Sequence, residues 1–191
     1  IKNLIYFFKI FFAYLLFTSI SFADLQENLI NKLSSTKTLS FDFMQKIADK
    51  EEFGICYIKY PLLMKCKYNN LKEKVIISNG KKLSIIKKKY KKIYNYPIKS
   101  TPLFFILQKQ NIISLVKKNK PNSVGSNLIE ITHIDKRKNE IKIFFEKNTL
   151  ELKGWTTKDA YSNNVNFIIN NLKVNIEIED SFFKIPREED L

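Results

Sequence analysis

The chain has 191 residues, 45% of them hydrophobic, and carries 33 Lys and Arg against 19 Asp and Glu, a formal net charge of +14 at pH 7. One folded unit with a real core is expected at this length. The basic excess points to nucleic acid, an anionic membrane or acidic partners, but a nucleic-acid binder lacks its motif here: there is no zinc spacing, no RNP pattern and almost no Arg for bidentate contacts. Lys, Ile and Asn are abundant while Arg and Gly are scarce, as in AT-rich coding, so part of the charge has a compositional cause.

The first segment parses as an export leader. Lys2 and Lys9 form a basic n-region, Ile10–Phe17 an apolar stretch, and Ser21-Phe22-Ala23 puts small residues at the −3 and −1 positions, so cleavage is expected before Asp24. The division is a signal peptide over 1–23 and one domain over 24–191. The alternative is an uncleaved anchor, which would place Lys9 inside the bilayer. No Cys sits just after the expected cleavage site; the first is Cys56, which leaves no acceptor for an N-terminal lipid.

Asp24–Ser34 repeats Leu25, Leu29, Ile30 and Leu33 at helical spacing, with Asp24 placed to cap. The period then changes to two, with Leu39, Phe41, Phe43 and Gln45 on one face of a strand. Gly54–Tyr60 and Met64–Tyr68 follow, turning at Pro61. They carry Cys56 and Cys66, which are either disulfide-bonded in an oxidising compartment or two small buried hydrophobes. Val75–Ser78 and Leu83–Ile86 flank Asn79-Gly80, a pair suited to a tight type I′ hairpin turn. A third basic strand spans Tyr90–Tyr96, and six strands without a crossover helix make an antiparallel meander.

Thr101-Pro102 then opens an apolar helix, Leu103–Leu107, and Asn111–Val116 is a second apolar run. These helices are either ordinary core or a cover laid over a curved sheet. Lys117–Asn127 reads as a loop. Strands resume at Leu128–His133, Glu140–Phe145, Leu150–Thr156, Val165–Ile169 and Val174–Ile178. The fold class is therefore mainly β with short α-helices: an incomplete, half-open antiparallel β-barrel of about ten or eleven strands covered by a helical lid. The Lys clusters at Lys87–Lys92 and Lys117–Lys120 read as solvated strand ends and loop.

Catalysis finds little footing. The one His, His133, alternates with Ile131 on a strand and reads as a sheet-surface residue rather than a base; no Gly-rich phosphate loop and no clustered metal ligands occur. No catalytic residue, metal or cofactor is expected. The sixteen Phe and nine Tyr make either a packed core or a cavity for an apolar ligand.

Several runs in order resemble one family: Phe41-Asp-Phe43-Met-Gln45, Lys59-Tyr60-Pro61-Leu-Leu-Met64-Lys65, Ser78-Asn-Gly80-Lys-Lys-Leu83, Tyr96-Pro97-Ile-Lys-Ser-Thr101-Pro102-Leu103, and Leu150-Glu-Leu152-Lys-Gly154-Trp155 through Phe183-Lys-Ile-Pro186. Together they resemble the periplasmic outer-membrane lipoprotein carrier family, LolA. The resemblance implies an unclosed barrel whose hydrophobic cavity takes the acyl chains of lipoproteins. It implies a monomer whose partners are acylated lipoproteins, an inner-membrane lipoprotein-releasing ABC transporter and an outer-membrane acceptor. On that reading the sheet contributes Phe41, Phe43, Ile77, Ile85 and Trp155 to the cavity, and the lid Leu29, Leu33, Leu103, Phe104, Leu107 and Leu115. The family commonly has Arg before the Pro matching Pro61, tied to lid closure; here Tyr60 stands there, so Lys59, Tyr60 and Lys65 are the lid-control candidates. Two alternatives are a lipid or glycolipid shuttle and a membrane-anchored basic interaction protein.

Overall fold

A first helix, α1 (Ile20–Ser35), leads directly into β1 (Thr38–Ile47). The computed structural model describes residues 20–135, 138–159 and 161–191. Most of the expected leader therefore lies outside the described residues. Because α1 starts at Ile20, Asp24 sits inside the helix rather than at its cap, where it accepts a hydrogen bond from Asn28 Nδ2 at 2.6 Å.

The meander runs through β2 (Lys50–Lys59), β3 (Leu63–Tyr68), β4 (Lys74–Asn79), β5 (Lys82–Lys87) and β6 (Lys92–Pro97). A tight hairpin forms here, but not as a type I′ turn on Asn79-Gly80. The two linking residues are Gly80 and Lys81, and of these and Asn79 only Gly80 has a positive φ, 90°, the pattern of a type II′ turn, while Asn79 Oδ1 accepts from the backbone N–H groups of Lys81 and Lys82. Two helices follow, α2 (Leu103–Leu107) and α3 (Lys109–Lys118). The chain then forms β7 (Asn122–Val124), β8 (Leu128–Ile134), β9 (Glu140–Glu146), β10 (Leu152–Lys158) and β11 (Asn164–Val174). Two expectations change here. The loop at Lys117–Asn127 holds the short strand β7, and the two expected final strands are one long strand, after which residues 175–178 leave the sheet.

Among the described residues, eleven strands form one antiparallel sheet in the order β6-β5-β4-β3-β2-β1-β11-β10-β9-β8-β7. The pairing of β1 with β11 joins two consecutive meanders into a single curved surface, and β6 and β7 remain as its two unpaired edges. The result is a half-open barrel with a helical lid, and the three helices pack on its concave face.

Alternation sets what faces inward. Phe41 lies opposite Cys56 and Cys56 opposite Cys66, all three buried, and the two cysteines are disulfide-bonded. Deeper along the face, Phe43 and Trp155 both stack on Phe167, at 4.7 and 4.2 Å between ring centroids. Gly54 makes room for this stack: a side chain there would collide with the Phe43 ring and with the carbonyl of Lys67.

The outer face of β3–β5 is covered too. There Val75, Ile77 and Ile86 form a separate apolar cluster with Ile93, Ile185 and Leu191, beneath the C-terminal segment 175–191. Ile77 therefore does not line the concave cavity. In the run Val75-Ile76-Ile77 both faces are apolar, so alternation carries no sign of which side is inside.

Candidate functional site

The candidate site is the space between the concave sheet and the lid. α2 begins after Thr101-Pro102, where the Thr101 carbonyl accepts from Phe104 N–H. Its face is almost wholly apolar: Ile106 and Leu107 are fully buried, while Leu103 and Phe104 pack partly buried against the same core. α3 buries Ile112, Ile113 and Val116 on one side, with Leu115 partly covered, and ends in Lys117 and Lys118, which suit its C-terminal dipole. Leu29 and Leu33 come down from α1 into the same cluster.

The expected cavity residues separate into groups. Leu29, Leu33, Phe41, Phe43, Leu107 and Trp155 are buried together, and Leu103, Phe104 and Leu115 pack at the rim of that cluster. Ile85 lies opposite Ile76 and is half-buried. Ile77 belongs to the outer cluster. Sequence reasoning missed Met64, Tyr68, Ile106, Ile112, Phe145 and Phe167, all buried in the same core. For Phe145 and Phe167 the signal in the sequence is partial: each has one polar neighbour, Glu146 and Asn166, and one apolar neighbour, Phe144 and Ile168, so the period of two only weakly marks which face they take.

The space between lid and sheet divides in two. A cavity of about 30 Å³, room for about one water molecule, lies among Leu33, Leu39, Tyr60, Ile106, Ile112 and Phe145. A larger, open groove of about 420 Å³ runs between α2 and the ends of β8 and β9, lined by Pro102, Phe104, Phe105, His133 and Ile141 among others. His133 is a half-buried residue on β8, at the sheet surface that faces this groove. It lies under the lid with Phe105 stacked on its ring at 4.0 Å, and burial holds its pKa below the usual value against an opposing pull from Asp135.

The lid is tied down by few polar contacts. Leu62 N–H, in the β2–β3 turn, donates to the Leu107 carbonyl at 3.0 Å, and Gln26 on α1 donates to the Val116 carbonyl of α3. The third tie is Lys109, the first residue of α3. Its ammonium donates to the Ser34 carbonyl at 3.0 Å and the Thr36 carbonyl at 2.6 Å, and lies 5.6 Å from the Tyr60 ring. A cation there opposes the dipole of its own helix but favours the exposed carbonyls at the end of α1. Burial, then the charge of Lys37, lowers the Lys109 pKa, while burial raises that of the Tyr60 hydroxyl.

Of the three lid-control candidates, only Tyr60 lies against the lid. Lys59 pairs with Asp180 at 2.6 Å and donates to the Ile178 carbonyl. Lys65 donates to the Phe182 carbonyl and sits 4.3 Å from the centre of that ring. Both lysines point outward from β2 and β3, whose inward positions are Cys56, Ile58, Met64 and Cys66, so they hold the C-terminal segment instead.

This sheet and lid have known counterparts. Residues 34–186 match the family described as outer membrane lipoprotein carrier protein LolA. The chain belongs to the LolA family. Among solved structures, an uncharacterized conserved protein from Thermus thermophilus is 7% identical, with a TM-score of 0.51, covering 86% of this chain and 94% of that one. A LolA superfamily protein from Nitrosomonas europaea is 9% identical, with a TM-score of 0.45 and coverage of 84% and 97%. A putative outer membrane lipoprotein-sorting protein domain from Vibrio parahaemolyticus is 8% identical, with a TM-score of 0.46 and coverage of 84% and 94%. No curated protein matches the chain in sequence. This LolA fold departs from the expected lid control in one respect: the cation at the lid is carried by the lid itself, at Lys109, and not by the strand that ends at Tyr60.

Proposed function

We propose that this protein is a periplasmic carrier that binds the acyl chains of lipoproteins and ferries them from the inner to the outer membrane. It is exported by a leader removed before Asp24, works as a monomer and performs no covalent chemistry. An inner-membrane ABC transporter loads it and an outer-membrane acceptor unloads it.

The observation that carries this reading is the space beneath the lid: an apolar concave face covered by short helices that leave a small space of about 30 Å³ beside Tyr60 and an open groove of about 420 Å³ under α2, and that are held by few polar contacts. Acyl chains reach the covered part of that face only if the helices lift. Each buried CH₂ is worth about 0.8 kcal/mol, so a few methylenes offset the loss of one lid hydrogen bond. Binding stays reversible because the lid can close again over its own side chains once the cargo has left.

The test is a release assay. Inner membranes loaded with radiolabelled lipoprotein and the ATP-driven transporter are incubated with the purified protein, and soluble lipoprotein is expected only when it is present. A protein that releases no lipoprotein, yet retains free lipid or glycolipid by mass spectrometry, is a shuttle for that cargo and overturns the lipoprotein reading.

A further inference from the structure

Two turns leave the sheet at the end opposite the lid. Lys74 lies opposite Lys87, and Lys87 opposite Lys92, so the β3–β4 turn (69–73) and the β5–β6 turn (88–91) project beyond the same rung. Each has an apolar tip: Leu71 is 89% exposed and Tyr90 53%. Lys72, Lys88, Lys89, Lys91 and Lys92 stand exposed around them.

Like charges directly opposite each other in a sheet repel. Lys74 is compensated by an ion pair with Glu52 and by the Tyr68 ring at 3.7 Å. Lys87 has the Tyr94 ring at 5.1 Å. Among the ion pairs of the described residues, none joins Lys72, Lys87, Lys88, Lys89, Lys91 or Lys92. Of the nearby carboxylates, Glu51 is paired with Lys46 and Glu52 with Lys74, while Asp49 and Glu73, the latter within the β3–β4 turn, offset part of the positive charge. Glu188 accepts from Ile93 N–H.

Exposed lysines in excess over the nearby acids, and in no ion pair, around two apolar tips match the polar–apolar boundary of a bilayer, where ammonium groups meet phosphates and Tyr or Leu reaches the acyl border. A nucleic acid would satisfy the lysines but offers no apolar layer to Leu71. We propose that the β3–β4 and β5–β6 turns form a docking surface for an anionic phospholipid bilayer, Lys72 and Lys88–Lys92 engaging headgroup phosphates with Leu71 and Tyr90 seated between them. Docking at this end leaves α1, α2 and α3 free to move while the protein is on the membrane. The proposal does not rest on the identity of the cargo.

The test is co-sedimentation of the purified full chain with vesicles of phosphatidylcholine, alone or mixed with phosphatidylglycerol, at low and high salt. The ratio of anionic to neutral partitioning isolates this surface from any apolar insertion by the N-terminal segment. That ratio should exceed one, fall with salt, and drop at least about tenfold when Lys88, Lys89, Lys91 and Lys92 are all changed to Gln, each lysine near such a surface being worth about fivefold. Leu71→Ser with Tyr90→Ser should lower partitioning onto the anionic vesicles themselves several-fold. Replacing Lys117, Lys118 and Lys120 by Gln should leave the ratio unchanged. These side chains are exposed, and unchanged thermal unfolding verifies that the variants fold. No preference for anionic vesicles overturns the proposal, as does an equal loss from the 117–120 set, which would make net charge the cause. Undiminished vesicle binding by the Leu71/Tyr90 variant together with equally tight binding to heparin also overturns it, in favour of a polyanion site.

Discussion

The two faces of the sheet are covered by different means. Over the concave side lie short helices with apolar undersides, tied by Leu62–Leu107, Gln26–Val116 and Lys109. Over the outer side of β3–β6 lies an extended C-terminal segment, held by Lys59 to Asp180, by Lys65 to Phe182, and by Glu188 to the backbone of edge strand β6. The segment also drives Phe183 into full burial. One cover is pinned along its length by several elements of the sheet, and the other is mostly helix against helix with an open groove at its side. The basic residues of β2 and β3 thus belong to the C-terminal cover and not to the lid.

The largest expected effect falls on the C-terminal cover. Phe183→Ala should cost about 3–5 kcal/mol in denaturant unfolding while leaving uptake of an apolar fluorescent probe by the folded protein unchanged. A gain in uptake would mean that the two covers are coupled. Lys109→Ala should behave oppositely, losing only about 1–2 kcal/mol but raising probe uptake several-fold, because what it removes is a tie between α3 and α1. Lys59→Ala, whose ion pair with Asp180 is largely solvated, should change stability by under about 1 kcal/mol and leave uptake alone. If Lys59→Ala rather than Lys109→Ala opens the site, the assignment of the lid cation is wrong.

The smallest effect concerns pH. Burial against Phe105 lowers the His133 pKa, so closure favours the neutral ring. Its contribution to closure is complete above the ordinary value of about 6.5 and is lost as pH falls through the lowered one. Acidifying from about 7.5 to about 5.5 should therefore raise probe uptake modestly, and His133→Gln should remove the step. A step that survives that substitution belongs to another group.

Much of this was legible residue by residue. The hairpin at Asn79-Gly80 followed from backbone chemistry, though not its turn type, which shifts one residue on to Gly80-Lys81, and α2 followed from Thr101-Pro102 and an apolar run. The inward aromatic faces of β1 and β10 followed from alternation. Ile77 was not legible, because a strand apolar on both sides has no polar face to set its register against a core. Lys59 and Lys65 were not legible either: their partners lie 119 and 117 residues away, and a lysine carries no local mark of which carbonyl it will meet. Lys109 gave no signal at all, since a cation at the start of a helix makes sense only once the end of α1 is beside it.

By itself, then, the sequence determined the elements and their order: short-range sterics, turn chemistry and hydrophobic period act within a few residues and need no partner. Only the tertiary structure decided which cover each charged side chain serves, how the space between lid and sheet divides into a small pocket and an open groove, and that two basic turns project from one end of the sheet. Those properties come from the pairing of β1 with β11 and the path of residues 175–191, contacts between segments more than a hundred residues apart that no local pattern encodes.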